Sequence, residues 1–315
     1  MEVEVENLHK EYGKTRAVNG ISFSFGAGQI FGFIGPNGAG KSTTMRVLAT
    51  LEEPTSGNAT IDGVSVIENP EKAHKFIGYV PDSLPSHRDV TVHEYLDFFA
   101  RAYNIRGEKR RQTVEGVEEF TNLIGIRDKT LNALSKGMKN RVSIARALVH
   151  DPPVLLMDEP AAGLDPRARI ELRELLKVLA SQGKAVLISS HILSELAEIC
   201  TGAVIIERGK ILRAGTLQEI LSRGGKTKNG KATRTVVLRP LDRIDDLLRT
   251  LLETPGVEDA RIADGAVEAD IEGDDEACCA LLATVIRAGH RILEFRPRRA
   301  DLEQIFLDVT RGDVQ

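Results

Sequence analysis

The chain reads as an α/β protein followed by a smaller α+β domain. Three observations predict this. A glycine-rich stretch, Gly35-Pro36-Asn37-Gly38-Ala39-Gly40-Lys41-Ser42, stands between an apolar run of strand length (29–34) and a helix-like segment (43–49). Two further apolar runs, 154–157 and 184–189, end in polar residues, Asp158-Glu159 and Ser190-His191. Beyond a polar, glycine-rich stretch at 222–234 the pattern becomes a short β-α-β-β-α-β succession plus a terminal helix at 300–310.

The stretch 35–42 matches G-x-x-x-x-G-K-[ST] at every fixed position, between the strand and the helix that this motif requires. Its glycines let the backbone come close to a ligand. Its N–H groups then point into one concavity at a helix N-terminus, where anions are favoured. Lys41 adds a mobile cation for β- and γ-phosphates, and Ser42 a hydroxyl for Mg²⁺. Asp158, at a strand end, is the acidic residue expected to hold that metal. Glu159 beside it is placed to orient or deprotonate a water attacking the γ-phosphate.

In chain order, Val3 and Val5 alternate with Glu2, Glu4 and Glu6, and Ile21, Phe23 and Phe25 alternate likewise, so antiparallel strands precede the phosphate loop. Glu11-Tyr12-Gly13 reads as a loop between them. Pro54 to Gly57 and Asp62-Gly63 are turns around a short strand at 59–61. A buried-type strand, 76–80, closes at Pro81. Thr91 and Glu94 form a capping box that starts a helical region extending to about 131. Within it, 106–111 is a basic run, read as a solvated loop and helix start. Ser135 opens another helix, and Asp165-Pro166 supplies an N-cap and a first-turn proline for the next. Residues 204–207 and 210–213 form a hairpin around Arg208-Gly209. The expected domains are 1–221, a linker at 222–234, and a ferredoxin-like domain at 235–315.

A chain of 315 residues favours two domains. The net charge of −4, with both signs interspersed, argues against nucleic acid as a partner and against a strongly basic membrane-surface protein. The three cysteines, Cys200, Cys278 and Cys279, have no metal-ligand spacing. They are expected as reduced thiols of a cytosolic protein, with Cys278-Cys279 buried in a helix. The acidic N-terminus is no secretory signal, and no apolar run approaches the ~18 residues a membrane span needs.

The stretches 35–42, Leu134-Ser135-Lys136-Gly137-Met138, Leu155 to Pro160, Gly163-Leu164-Asp165 and His191 occur in the order and spacing of the ATP-binding cassette (ABC) family. Over residues 2–220 the chain resembles its ATPase subunit. The resemblance implies a dimer with ATP and Mg²⁺ at the interface. Gly35, Pro36, Asn37, Gly38, Ala39, Gly40, Lys41, Ser42 and Thr43 would cradle the phosphates. Tyr12 resembles the aromatic that stacks on adenine. Ser135 and Gly137 resemble the signature residues that touch the γ-phosphate held by the opposite subunit. Asp165 matches the loop that crosses the interface, and His191 the switch histidine.

Two stretches depart from the family pattern. Asp82 stands where glutamine usually contacts Mg²⁺ and the attacking water; being shorter and charged, it keeps the position in the coupling loop and leaves its catalytic and metal role open. Lys136 and Met138 replace a glycine and a glutamine of the signature.

The C-terminal domain resembles the accessory domain of ABC-2-type exporter ATPases. The implied function is ATP hydrolysis that powers a separate membrane permease, for export, with the protein on the cytoplasmic face of the membrane and a homodimer expected. The alternatives are a soluble ABC ATPase of DNA repair or translation, and a low-turnover regulatory ATP-binding module.

Overall fold

The structure is a computed structural model that describes residues 1–84, 89–192, 196, 198–222 and 233–297. The described residues form two compact units, dividing between Ile220 and Leu221.

The first unit contains two sheets. Strands β1 (Glu2–Tyr12) and β2 (Thr15–Gly26) pair antiparallel, and β4 (Ser56–Ile61) and β5 (Val64–Ser65) extend them in the order β2-β1-β4-β5. Glu11 and Tyr12 are the end of β1, not a loop, because the β1–β2 ladder continues to the pair Tyr12–Thr15 and only Gly13-Lys14 turns. The second sheet carries β3 (Ile30–Ile34), β6 (Ile77–Val80), β7 (Val154–Met157), β8 (Ala185–Ser190), β9 (Gly202–Glu207) and β10 (Lys210–Thr216) in the order β10-β9-β3-β8-β7-β6. The pairs β3–β8, β3–β9, β7–β8 and β6–β7 are parallel, and β9–β10 is the expected antiparallel hairpin. Val154, Leu155, Leu156 and Met157 are all fully buried, as expected for a parallel sheet covered on both faces. Both sheets share one core, in which Phe23 and Phe33 stack at 5.4 Å between ring centroids.

Helix α1 (Lys41–Leu48) follows β3, and the short α2 (Pro70–Ala73) precedes β6. The region 91–131 resolves into two helices, α3 (Val92–Ala102) and α4 (Gly107–Phe120), then short 3₁₀ turns. The break falls at Asn104, whose φ of +60° cannot continue a helix. The capping box at Thr91 and Glu94 is formed in both directions. The basic run starts α4, with Arg110 2.8 Å from Asp97 and Arg111 paired to Glu108.

Helices α3, α4 and α5 (Lys136–Leu148) enclose a separate core of Val92, Leu96, Val114, Leu123, Leu131 and Val142. Buried Glu118 meets His93 there at 2.7 Å and Arg127 at 3.4 Å, which joins α3, α4 and the chain after it. Helix α6 (Pro166–Ser181) follows β7, and α7 (Leu217–Ser222) follows β10.

The second unit contains β11 (Thr233–Pro240), α8 (Ile244–Leu252), β12 (Val257–Ala263), β13 (Ala266–Glu272), α9 (Asp275–Arg287) and β14 (Ile292–Pro297). Its sheet order is β12-β13-β11-β14, antiparallel throughout, which is the ferredoxin-like arrangement. Ser222 lies in α7, and Thr233 and Arg234 pair with Glu272 and Ile271 of β13. These three residues therefore belong to secondary structure and not to the expected linker; polar side chains suit a half-exposed strand as well as a coil. Residues 223–232 and the expected helix at 300–310 lie outside the described residues.

All three cysteines are free. Burial pushes the Cys200 thiol up to about 12, which makes it inert. Cys278 is buried in α9, but Cys279 is exposed, because adjacent helix residues point about 100° apart and only one can face the sheet.

Candidate nucleotide-binding site

Because β3, β6, β7 and β8 are parallel, their C-terminal ends open onto one edge of the sheet. A doubly wound sheet binds ligands there. The segments leaving that edge carry Gly35 to Gly40, Asp82, Asp158-Glu159 and His191.

Helix α1 begins differently from its neighbours. Thr91, Ser135, Asp165 and Asp274 each cap a helix with a side-chain oxygen. The N-cap of α1 is Gly40, with φ of +107°, no side-chain cap and no acidic residue in the first turn. The early N–H groups and the positive end of the helix dipole are thus left for an external anion. A Cβ at Gly40 would overlap the Ala17 carbonyl oxygen, so the residue must be glycine on two counts.

Lys41 is 5% exposed, and its ammonium donates to the Gly35 carbonyl at 2.6 Å and the Pro36 carbonyl at 3.2 Å. It also stands 3.3 Å from Glu159 Oε1. That oxygen is buried and accepts no hydrogen bond, because Lys41 directs its protons to the loop carbonyls. Glu159 Oε2 lies 2.7 Å from His191 Nδ1. The predicted lysine, glutamate and histidine, from three separate segments, therefore form one connected chain at the mouth of the loop.

Ser189 is the residue that motif reading missed. Its buried hydroxyl donates to Asp158 Oδ1 at 2.7 Å and accepts from the Glu159 backbone N–H at 2.8 Å. One hydroxyl on β8 thus holds both acidic residues at the end of β7. The Asp158 N–H donates to Val80 O on the other side, which locks the pair between β6 and β8. Glu159 itself sits at φ of +48°, a backbone conformation that non-glycine residues seldom adopt. The only sequence signal for Ser189 was a hydroxyl in a buried strand two residues before His191.

The remaining predicted residues lie near this centre or on exposed segments. Ser42 and Thr43 are half-buried in the first turn of α1. Tyr12 is 44% exposed at the end of β1. Ser135 and Asp165 are exposed N-caps of α5 and α6, bonded to the N–H groups of Met138 and Ala168. Gly137 follows in the first turn of α5. Asp82 is exposed just past β6. Asn140 Nδ2 donates to Pro160 O at 2.7 Å and so ties α5 to the end of β7. The departure at Lys136 has a structural counterpart: Gly163, at φ of +67°, leaves room for the lysine, whose Nζ would lie 2.7 Å from a Cβ there.

Among the described residues no cluster of three or more His, Cys, Asp or Glu is arranged to hold a metal by itself. The donors present, one hydroxyl on Ser42 and one carboxylate on Asp158, fit Mg²⁺, which keeps waters and takes its other ligands from substrate phosphates. Among the described residues no helix is long and apolar enough to cross a membrane.

An open, glycine-capped helix N-terminus after a parallel strand, with a lysine as the first residue of that helix and a carboxylate pair at the end of a strand two places along the sheet, defines a phosphate-loop nucleotide-binding protein. Comparison with known proteins gives the family. Residues 18–162 match the ABC transporter family model. The chain is 32% identical over 312 residues to the linearmycin resistance ATP-binding protein LnrL of Bacillus subtilis (strain 168), covering 98% of each chain. It is 32% identical to a Nod factor export ATP-binding protein I of Burkholderia orbicola (strain AU 1054), covering 99% of this chain and 98% of the relative. Among solved structures, the ATP-binding subunit of an ABC transporter superposes with a TM-score of 0.65 at 30% identity, covering 71% of this chain and 93% of that one. A dimeric ATP-binding cassette in a post-hydrolysis state with ADP and Pi superposes with a TM-score of 0.63 at 27% identity, covering 68% and 98%. The chain belongs to the ABC transporter family. It is an ATP-binding and ATP-hydrolysing subunit of the kind that dimerises and works with a transmembrane partner.

Proposed function

We propose that this chain forms a homodimer around two MgATP molecules and drives export by a permease that is a separate polypeptide, on the cytoplasmic face of the membrane. The observation that carries the reading is the chain Lys41–Glu159–His191 beside an uncapped helix N-terminus. Export is suggested by two full-length relatives, one named for Nod factor export and one for linearmycin resistance.

Tyr12 stacks on adenine, and residues 35–43 receive the phosphates. On binding, Lys41 leaves the Gly35 and Pro36 carbonyls for the phosphate oxygens, which releases Glu159. Ser42 and Asp158 would hold Mg²⁺, which would neutralise charge on the phosphates. Ser189 keeps the Asp158 carboxylate turned toward that position and fixes the backbone of Glu159. Glu159 accepts a proton from the attacking water, and His191 orients the freed carboxylate and senses the γ-phosphate. Ser135 and Gly137 close over the nucleotide of the opposite subunit, with Asp165 crossing beside them. Asp82, exposed past β6, belongs to the segment that transmits closure to the permease, and its carboxylate would be an additional oxygen donor for the Mg²⁺. The domain from 235 onward is an accessory unit of the dimer.

Mixed mutants test the shared site. Lys41→Ala and Ser135→Arg dimers each carry two defective sites. A mixed dimer places both lesions in one composite site and leaves the other intact. Recovery of ATPase activity on mixing is the expected result. Full activity of Ser135→Arg alone would exclude a site shared between subunits.

A further inference from the structure

Tyr12 ends β1 beside a two-residue turn, where an aromatic ring would ordinarily swing freely. Here it is tied down from two directions. Its hydroxyl donates to the Glu52 carboxylate. Lys10, two residues back in β1, holds its ammonium over the ring, 5.0 Å from its centroid.

Lys10 is itself anchored, 3.3 Å from Glu52 Oε1 and donating to Glu53 O at 2.7 Å. The backbone is fixed as well: the Glu11 N–H donates to Thr55 Oγ1 at 2.9 Å, and the Thr55 N–H to His9 O at 2.8 Å. Burial and the adjoining Glu52 carboxylate raise the Tyr12 pKa, so the phenol stays protonated and keeps donating.

We propose that Glu52 and Lys10 are positioning residues for the purine base of the nucleotide: Glu52 fixes the Tyr12 ring through its hydroxyl, and Lys10 covers one ring face so that the base stacks on the other. This rests on the reading of Tyr12 as the base platform. The contacts tie that platform to the segment after α1. The base therefore meets a surface that does not have to be ordered when the nucleotide arrives. A ring held in its bound orientation raises affinity by lowering the entropy lost on binding. Nothing in the scheme touches the reacting phosphate, so the effect belongs to nucleotide affinity and not to turnover.

The test separates base from phosphate. The full-length protein and its variants are titrated with MgATP and, separately, with magnesium tripolyphosphate, alongside steady-state ATPase assays. Tyr12→Ala weakens ATP by about tenfold or more, the range for loss of one base–aromatic stack, and leaves tripolyphosphate affinity unchanged. Glu52→Ala weakens ATP by about three- to tenfold, the worth of one tethering hydrogen bond. It raises KM with kcat unchanged and spares tripolyphosphate. Glu52→Gln still accepts the phenol proton and recovers most of the affinity. In a Tyr12→Phe background the effect of Glu52→Ala is reduced, because only its hold on Lys10 remains to be lost.

If Tyr12→Ala binds ATP normally, the base-platform reading fails and the proposal with it. If Tyr12→Ala is weak and Glu52→Ala normal, the proposal alone is overturned. Equal loss of ATP and tripolyphosphate in Glu52→Ala, or an undiminished loss in the Tyr12→Phe background, also overturns it by showing that Glu52 acts elsewhere.

Discussion

Replacing Glu159 with glutamine changes one charge in the centre of the site and almost no volume. In the nucleotide-free arrangement Glu159 Oε1 is 3.3 Å from Lys41 Nζ. The gross attraction at that distance is about 5 kcal/mol at an effective dielectric constant near 20, most of it offset by the desolvation of both ions. Lys41 keeps its bonds to the Gly35 and Pro36 carbonyls in the variant, so the loop survives and stability changes little. The neutral amide neither competes for Lys41 nor repels the γ-phosphate, and ATP affinity is expected to be equal or higher. The amide cannot take a proton from water. Loss of a positioned general base costs roughly 10²–10⁴ in rate, equivalent to about 3–5 kcal/mol of barrier. Phosphate release at saturating MgATP measures the rate, and light scattering measures the ATP-bound dimer that should accumulate. Hydrolysis at the wild-type rate would refute the assignment of Glu159.

Lys41→Ala removes the cation nearest the phosphates in a site where no other group replaces it, and titration calorimetry should show weakened MgATP binding. Gly40→Ala forces a side chain onto the Ala17 carbonyl at φ of +107°; a lowered melting temperature and loss of nucleotide binding are expected together. His150 packs flat on Tyr103 at 3.9 Å, and burial lowers its pKa to about 4. Between the unfolded value near 6.5 and about 4 the unfolded chain binds the extra proton, so this residue's contribution is complete above pH 6.5 and is lost as pH falls toward 4, by on the order of 2–3 kcal/mol. Urea midpoints of the wild type and His150→Gln across pH 4.5–7.5 should converge at the acid end, and parallel curves would refute the linkage.

The features legible in the sequence are those set by neighbours along the chain. The phosphate loop is eight consecutive residues between a strand and a helix. The caps at Thr91, Ser135 and Asp165 join a side chain to the N–H three residues on, a geometry that any helix start imposes. The buried strands announce themselves as short apolar runs, because both of their faces are covered.

Tertiary structure decided what depends on residues far apart in sequence. β8 lies between β3 and β7, and that order brings the residues after the three strands together, His191 to Glu159 and Glu159 to Lys41. The bridge made by Ser189 has no local signature, because an isolated serine in a strand looks the same whether or not its hydroxyl meets two carboxylate-bearing residues. Tyr12 reads locally as part of a loop because a turn follows it. Pairing with Thr15 makes it strand, and Glu52, forty residues on, holds its ring. The room for Lys136 comes from Gly163 across a helix–loop contact that spacing does not encode. Local pattern fixes which backbone each segment prefers, since the relevant forces act within a turn or a pleat. Which side chains meet is decided by the packing of whole elements.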